Sequence, residues 1–312
     1  MLLRALHVDP TLFSAGTRLR HGDLKSALTF KRWLHERPQK SPGVLEHGRE
    51  AWSIFVEGGA GRRVGDDALR SASKVLCDTG FVILRGGSLY TAAELAEAQA
   101  SAEAALARTK DRCASLGLAH RTPWARQRSQ HTLGGLVEFE FAEAISYSAG
   151  RVDMPRLIHE PPFDAPPWHS HPDILQLCHN VFGTACEQSI LGAMWSFPGA
   201  CETGWHRDGE APMLVVVTAT SDYPSDVGWI HVRPHSHLNT RAGALQRRPR
   251  HSPPIPAPLR KGESLIFMYS CVHAGMANFT CLERCLLYAV YGPVGMRDTV
   301  NHKSGFPSLF AP

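Results

Sequence analysis

Hydrophobic and polar positions divide this chain into two unlike halves. From about residue 186 onward, short apolar runs rich in β-branched and aromatic residues alternate with Pro, Gly and Asp: Ser189 to Phe197, Met213 to Ala219, Trp229 to Val232, Ser264 to Val272 and Leu282 to Tyr291. Runs of that length bounded by turn formers predict strands. The N-terminal half is different. Residues Asp23 to Glu36 predict a helix, and Asp66 or Asp67 can cap a second one reaching Lys74 to Leu76. Thr79 to Leu84 is an apolar run after a helix and predicts a buried strand. Thr91-Ala92-Ala93-Glu94 is a capping box opening an Ala/Glu-rich helix to about Leu116.

Helices followed by many short strands predict a mainly β fold with flanking helices, a double-stranded β-helix (jelly roll) buttressed from the N-terminal side. The organisation reads as an N-terminal extension over 1–65, a main domain over 66–300 with its β core from about 186, and a C-terminal tail over 301–312. The proline-rich stretch Pro253 to Pro258 reads as a surface excursion between strands.

With 312 residues, 43% of them hydrophobic, there is material for a sizeable core. The net charge is only +4, without a long basic run, which argues against nucleic acid as the partner. Eight cysteines are dispersed with no CxxC pair, so no zinc ribbon or disulfide scaffold is signalled. No run approaches the ~20 apolar residues of a membrane span. These features predict a soluble cytoplasmic protein, with the size compatible with a monomer or a homodimer.

The candidate chemistry begins with His-x-Asp. On an extended strand, residues i and i+2 project from one face, so this triplet offers two metal ligands together. Seventeen histidines make about one such triplet expected by chance, yet there are four: His7/Asp9, His21/Asp23, His171/Asp173 and His206/Asp208. The first lies near the terminus, and the second and third sit at helix starts, where Asp is a favoured first-turn residue. His206/Asp208 lies between two apolar strands and has no such role. His273, ending the run from Leu265, is the natural third ligand from a neighbouring strand, giving the two-histidine, one-carboxylate set that leaves iron with open positions. Eleven residues later Arg284 shares a strand face with Leu286 and Tyr288, placing a cation on an apolar side. A buried guanidinium needs an anion, and a dicarboxylate suits its fork.

These residues together resemble the phytanoyl-CoA dioxygenase family of Fe(II)/2-oxoglutarate oxygenases, over roughly residues 75–295. Asp78 to Gly86 resembles the family's opening strand, Trp205-His206-Arg207-Asp208 its iron motif, and Gly228 to His237 its G-x-L-x-V-x-P-G-S-H segment. Gly262-Glu263 to His273, then Asn278 and Arg284, are similar to the stretch bearing the distal histidine and the 2-oxoglutarate-binding arginine. His235 stands where the family has glycine, and Glu263 where it often has Asp. The resemblance implies Fe(II) on His206, Asp208 and His273, 2-oxoglutarate on Arg284, and O₂ as oxidant, with succinate and CO₂ released. It also implies oxidation rather than halogenation, because related halogenases replace the carboxylate that Asp208 supplies here.

Partners for the cosubstrate's other polar groups are Ser196 and Thr218, on strands flanking the His-x-Asp segment. Arg151 and Arg156 are candidates for an anionic substrate, and Trp205 and Trp229 for the pocket lining. Two other readings stay open: a non-catalytic binding or sensor protein on the same sheet, and a zinc-dependent hydrolase using His231, His235 and His237 with His206.

Overall fold

A computed structural model describes residues 52–55, 63–86, 89–124, 139–224, 226–238, 253–298 and 305–311. The predicted helix of residues 23–36 and the pairs His7/Asp9 and His21/Asp23 lie outside the described residues.

Among the described residues, three α-helices precede the long strands that begin at Cys186. Helix α1 (Asp66–Thr79) buries Leu69, Ala72 and Leu76 along one stripe. Its N-cap is Gly65, with no side-chain cap bond; Asp66 and Asp67 lie instead in the first turn, where they act on the helix dipole as charges. It ends at Gly80, whose φ of 89° is the left-handed cap glycine tolerates. Helix α2 (Ala92–Ser115) starts with the expected capping box, Thr91 and Glu94 each bonding the other's backbone. Helix α3 (Pro172–Phe182) is capped by His171, with Pro172 in its first turn, so this His-x-Asp is a helix start as the sequence suggested. Asp173 is fully buried and binds Val64 N (2.7 Å) and Arg63 Nε (3.0 Å), tying α3 to the chain ahead of α1.

Twelve strands follow the chain: β1 (Ser53–Phe55), β2 (Phe81–Arg85), β3 (Phe139–Glu140), β4 (Ile145–Ser146), β5 (Arg151–Met154), β6 (Cys186–Ser196), β7 (Leu214–Ala219), β8 (Ile230–Val232), β9 (Ile255–Pro256), β10 (Ser264–Met268), β11 (His273–Gly275) and β12 (Arg284–Pro293). Nine form one sheet in the order β1-β2-β10-β7-β12-β6-β5-β4-β3, antiparallel except for the β1–β2 pair. The other three form a small antiparallel sheet, β11-β8-β9. The mainly β expectation holds in this form. The proline-rich stretch corrects the expected surface excursion, because it contributes β9 and buries Ala257 and Leu259.

Period 2 along the central strands separates two cores. Val82, Leu84, Val216, Ile266, Leu287 and Ala289 face the helices and pack with Leu76, Leu95, Ala102 and Ile174. Their neighbours Phe81, Ile83, Val217, Leu265, Leu286 and Tyr288 face the small sheet and pack with Val227, Trp229, Val232 and Cys271. The run from Ser264 is shorter than expected. The ladder stops at Met268, the chain turns through Tyr269 to Cys271, and it resumes in the small sheet at His273. That break carries His273 out of the large sheet and opposite the His-x-Asp segment.

A histidine-rich clip fastens the small sheet to α1. His235 has φ of 61°, the left-handed region its glycine-like position demands. The strained residue is held by its N–H donating to Thr79 O (2.7 Å) and its ring Nδ1 donating to Asp78 O (2.8 Å). His237 Nε2 donates to Cys77 O (3.0 Å). Its ring occupies the space above Gly80, where an added Cβ would stand 2.4 Å from Nδ1. Two imidazoles thus satisfy carbonyls at the end of α1.

Candidate metal and cosubstrate site

The segment from Gly199 to His206 runs alongside the segment from His273 to Asn278, which includes edge strand β11 of the small sheet. Gly199 N donates to Asn278 O, Asn278 N to Ala200 O and Thr203 N to Gly275 O, and His206 and His273 exchange both backbone bonds (3.1 and 2.9 Å). This ribbon places the two histidines directly opposite each other, with ring centroids 4.4 Å apart. Asp208, two residues on, is held by its N–H donating to Tyr269 O (3.2 Å).

The backbone also fixes the ring chemistry. A carbonyl can only accept, so Nδ1 of His206 donates to Gly204 O (2.7 Å) and Nδ1 of His273 donates to Cys271 O (3.1 Å). Both Nε2 lone pairs are left to face Asp208 Oδ1, at 3.6 and 3.7 Å. Burial pulls the His273 pKa down, which favours the neutral ligating form; neighbouring Asp208 opposes that pull. Donor atoms of His206, Asp208 and His273 all lie within 4.8 Å of one another, the one such group of three found among the described residues. His206 is 43% exposed at its side chain, Asp208 18% and His273 9%, so the group opens on one side.

The zinc set does not assemble. His235 and His237 are bonded to α1 carbonyls, and His231, paired with Ala274, projects from the opposite face of the small sheet to His273.

Arg284 opens β12 and is 1% exposed, on the face it shares with Leu286 and Tyr288. One guanidinium nitrogen donates to Gly228 O, while its Nε is buried with no partner among the described residues. Burial lowers its pKa to about 10, still a cation at neutral pH. Glu283, its sequence neighbour, turns instead to Lys110. Ser196 is Arg284's direct cross-strand partner, and its Oγ is also buried and unpartnered. Thr218 is a correction. It pairs with Leu287, whose side chain faces the helices, and its hydroxyl bonds Ser264 Oγ (2.8 Å), so parity puts it on the far side of the sheet.

Arg151 also lies in this row. It is Ser196's partner on the other side, 3% exposed, and donates to the carbonyls of Cys201 (2.8 Å) and Met276. Arg156 is exposed and bridges to Leu191, away from this row. Trp205 is 37% exposed beside His206, with the Arg233 guanidinium 4.6 Å from its ring centroid. Trp229 is buried in the inter-sheet core near Tyr223.

One polar pair on this face escaped the sequence reading. The Tyr288 phenol donates to buried Asp153 (2.6 Å), and Gly192 leaves the room its ring needs, since a Cβ there would lie 2.8 Å from it. Tyr288 was visible as Arg284's period-2 companion. Asp153 was hidden in a four-residue strand that no hydrophobic run announced.

No family model and no curated protein matches the chain. Solved structures do. The chain is similar to "epimerase SnoN in complex with Fe3+, alpha ketoglutarate and nogalamycin RO" (20% identity, TM-score 0.54, 73% of this chain and 85% of the other). It is also similar to a second structure of that non-heme alpha ketoglutarate dependent epimerase from nogalamycin biosynthesis (18%, 0.56, 80% and 93%). The non-heme alpha ketoglutarate dependent carbocyclase SnoK from nogalamycin biosynthesis is similar too (17%, 0.53, 82% and 97%). The likeness establishes a shared fold with these non-haem enzymes.

Proposed function

We propose that this chain is an Fe(II)- and 2-oxoglutarate-dependent oxygenase of the phytanoyl-CoA dioxygenase type, built on a jelly roll, that hydroxylates or otherwise oxidises a small molecule. The observation that carries the reading is the pair of imidazoles whose Nδ1 atoms are committed to backbone carbonyls and whose Nε2 atoms converge on one carboxylate. Two neutral nitrogens and one oxygen suit Fe(II) and leave positions for a chelating cosubstrate and O₂. The metal, when bound, supplies the redox chemistry. The protein's own part is to orient and to exclude water.

Arg284 and Ser196 fit a cosubstrate carboxylate. Each buries a polar atom that nothing in the described chain satisfies, and such groups are costly unless a ligand completes them. The fold neighbours support the reading, since the epimerase SnoN holds Fe3+ and alpha ketoglutarate. The neighbours are an epimerase and a carbocyclase, so the fold is compatible with several outcomes for the substrate. Trp205 at the open side of the iron group, and Trp229 behind it, are assigned to the substrate wall. We take 66–300 as the body of the domain, to which the preceding segment adds β1 and buried Val64, and the tail adds buried Leu309, whose carbonyl accepts from Arg112 (2.6 Å).

The test is anaerobic reconstitution with Fe(II), followed by 2-oxoglutarate, watching for the visible metal-to-ligand absorption. Succinate release on admitting air is then screened across a metabolite library. His206→Ala should show neither band nor turnover. Absence of any spectral change in the wild-type protein would sink the assignment, and metal-supported hydrolysis without O₂ would replace it with the zinc reading.

A further inference from the structure

One row of residues crosses three strands on the face toward the small sheet: Arg151 on β5, Ser196 on β6 and Arg284 on β12. Directly paired residues of antiparallel strands point to the same side, so all three face the space between the sheets. Their exposures are 3%, 0% and 1%. At the usual strand spacing the two arginines start about 10 Å apart at the backbone, close enough for both side chains to reach one small anion.

Two guanidiniums buried at one level repel each other and lose hydration, so the arrangement calls for a counter-charge. Desolvation first, and Arg284 second, lower the pKa of Arg151 to about 9, and Cys201 and the Glu202 carboxylate only partly oppose them. The described residues offer the two guanidiniums only backbone carbonyls as hydrogen-bond partners: Cys201 and Met276 for Arg151, Gly228 for Arg284. A guanidinium has five N–H donors, so these bonds leave both forks with donors to spend. Between them Ser196 Oγ has no partner.

Arg151 also reaches the metal ribbon. Gly275 shares a face of β11 with His273, and the space its missing side chain leaves is filled by Arg151, whose Nη1 would lie 3.0 Å from an added Cβ. The carbonyls it binds belong to the two segments that carry His206 and His273, at the point where their mutual backbone bonds are interrupted.

We propose that Arg151 and Arg284 together seat the distal carboxylate of the cosubstrate, with Ser196 Oγ between them, and that Arg151 is therefore a cosubstrate ligand rather than a substrate one. The inference rests on the 2-oxoglutarate reading above. It makes the site demand a second carboxylate. It also ties cosubstrate occupancy to the ribbon holding the metal ligands.

The test compares two 2-oxo acids on the anaerobic Fe(II) protein: 2-oxoglutarate, and 2-oxobutyrate, which keeps the chelating end but lacks the distal carboxylate. Arg151→Gln should weaken 2-oxoglutarate about a hundredfold, as removal of one partner from a buried charged pair does, and shift 2-oxobutyrate affinity by no more than about twofold. Arg151→Lys, with the charge but not the fork, should lose about tenfold for 2-oxoglutarate alone. It decides by the same ratio if Arg151→Gln does not fold. A wild-type protein with no preference for 2-oxoglutarate overturns the cosubstrate reading and this inference with it. A wild type that prefers 2-oxoglutarate, with variants that lose both acids equally or lose neither, overturns the Arg151 assignment alone.

Discussion

The two faces of the large sheet are made by the same strands, one residue apart, yet they are built to different rules. Toward the helices, Val216, Leu287, Ala289 and Ile266 interlock with Leu76, Leu95, Ala102 and Ile174; Thr218 bonds Ser264, and the polar atoms buried there without a partner include the neutral indole N–H groups of Trp168 and Trp195. Toward the small sheet, the apolar patch of Phe81, Val217, Leu265 and Leu286 gives way at the β5–β6–β12 corner to Arg151, Asp153, Ser196, Arg284 and Tyr288. On this face the buried atoms without partners include Ser196 Oγ and the Nε of a charged guanidinium, Arg284. A neutral indole N–H left open costs the fold little beside a charged fork. An open buried charge calls for a ligand.

That contrast can be broken at its two extremes. Asp208→Ala should abolish detectable Fe(II) binding in an equilibrium metal titration while leaving the urea midpoint within about 0.5 kcal/mol, because the carboxylate is partly exposed and contributes little packing. A large loss of stability would mean that the metal face is structural after all. Leu287→Ala should do the reverse. It removes a 2%-exposed side chain from the helix-facing core, costing about 4 kcal/mol in urea unfolding, with metal affinity of the folded fraction unchanged.

A pH experiment probes the outer surface of the small sheet. Burial pulls the His231 pKa from its ordinary 6.5 to about 4. Its folded-state value lies below the unfolded one, so its contribution is fully present above pH 6.5 and is lost as pH falls toward 4. By pH 4 that loss is about 3 kcal/mol, at about 1.4 kcal/mol per pKa unit. His231→Gln, compared with wild type by urea unfolding at pH 7 and pH 4, should be less acid-sensitive by that amount. Equal acid sensitivity would show that His231 is not buried as a neutral ring.

Much of this was legible in the sequence because periodicity records faces. The strand parity that put Arg284 with Leu286 and Tyr288 needed only the spacing, and the position of His206/Asp208 between apolar runs separated it from His171/Asp173, which the structure shows capping a helix. What escaped was local structure without a hydrophobic signature. Strand β5 reads Arg-Val-Asp-Met, with its two polar residues toward the small sheet and its two apolar ones in the helix-facing core, so its sequence resembles a surface loop until its neighbours are known. Thr218 was misjudged for a related reason. Proximity in sequence to the His-x-Asp segment says nothing about face, and only the register with Leu287 settles it. The clip of His235 and His237 kept a zinc alternative open because an imidazole that bonds a helix carbonyl and one that binds zinc are the same residue in sequence.

The smallest effect tests whether the helix-facing layer is only a scaffold. Helix α2 lies against that face through Leu95, Ala98, Ala102 and Leu106, and its first turn is held by the reciprocal bonds of Thr91 Oγ1 with Glu94 N (3.2 Å) and Glu94 with Thr91 N (2.7 Å). Thr91→Ala deletes one of the pair and leaves an amide unsatisfied at the helix start, which costs about 1 kcal/mol. The site lies on the opposite face, with the whole sheet between. Thermal unfolding should therefore shift by a few degrees while the 2-oxoglutarate titration stays superimposable on wild type. A change in cosubstrate affinity without a change in stability would show that the helices tune the site through the sheet, and the two faces would then have to be treated as one coupled unit.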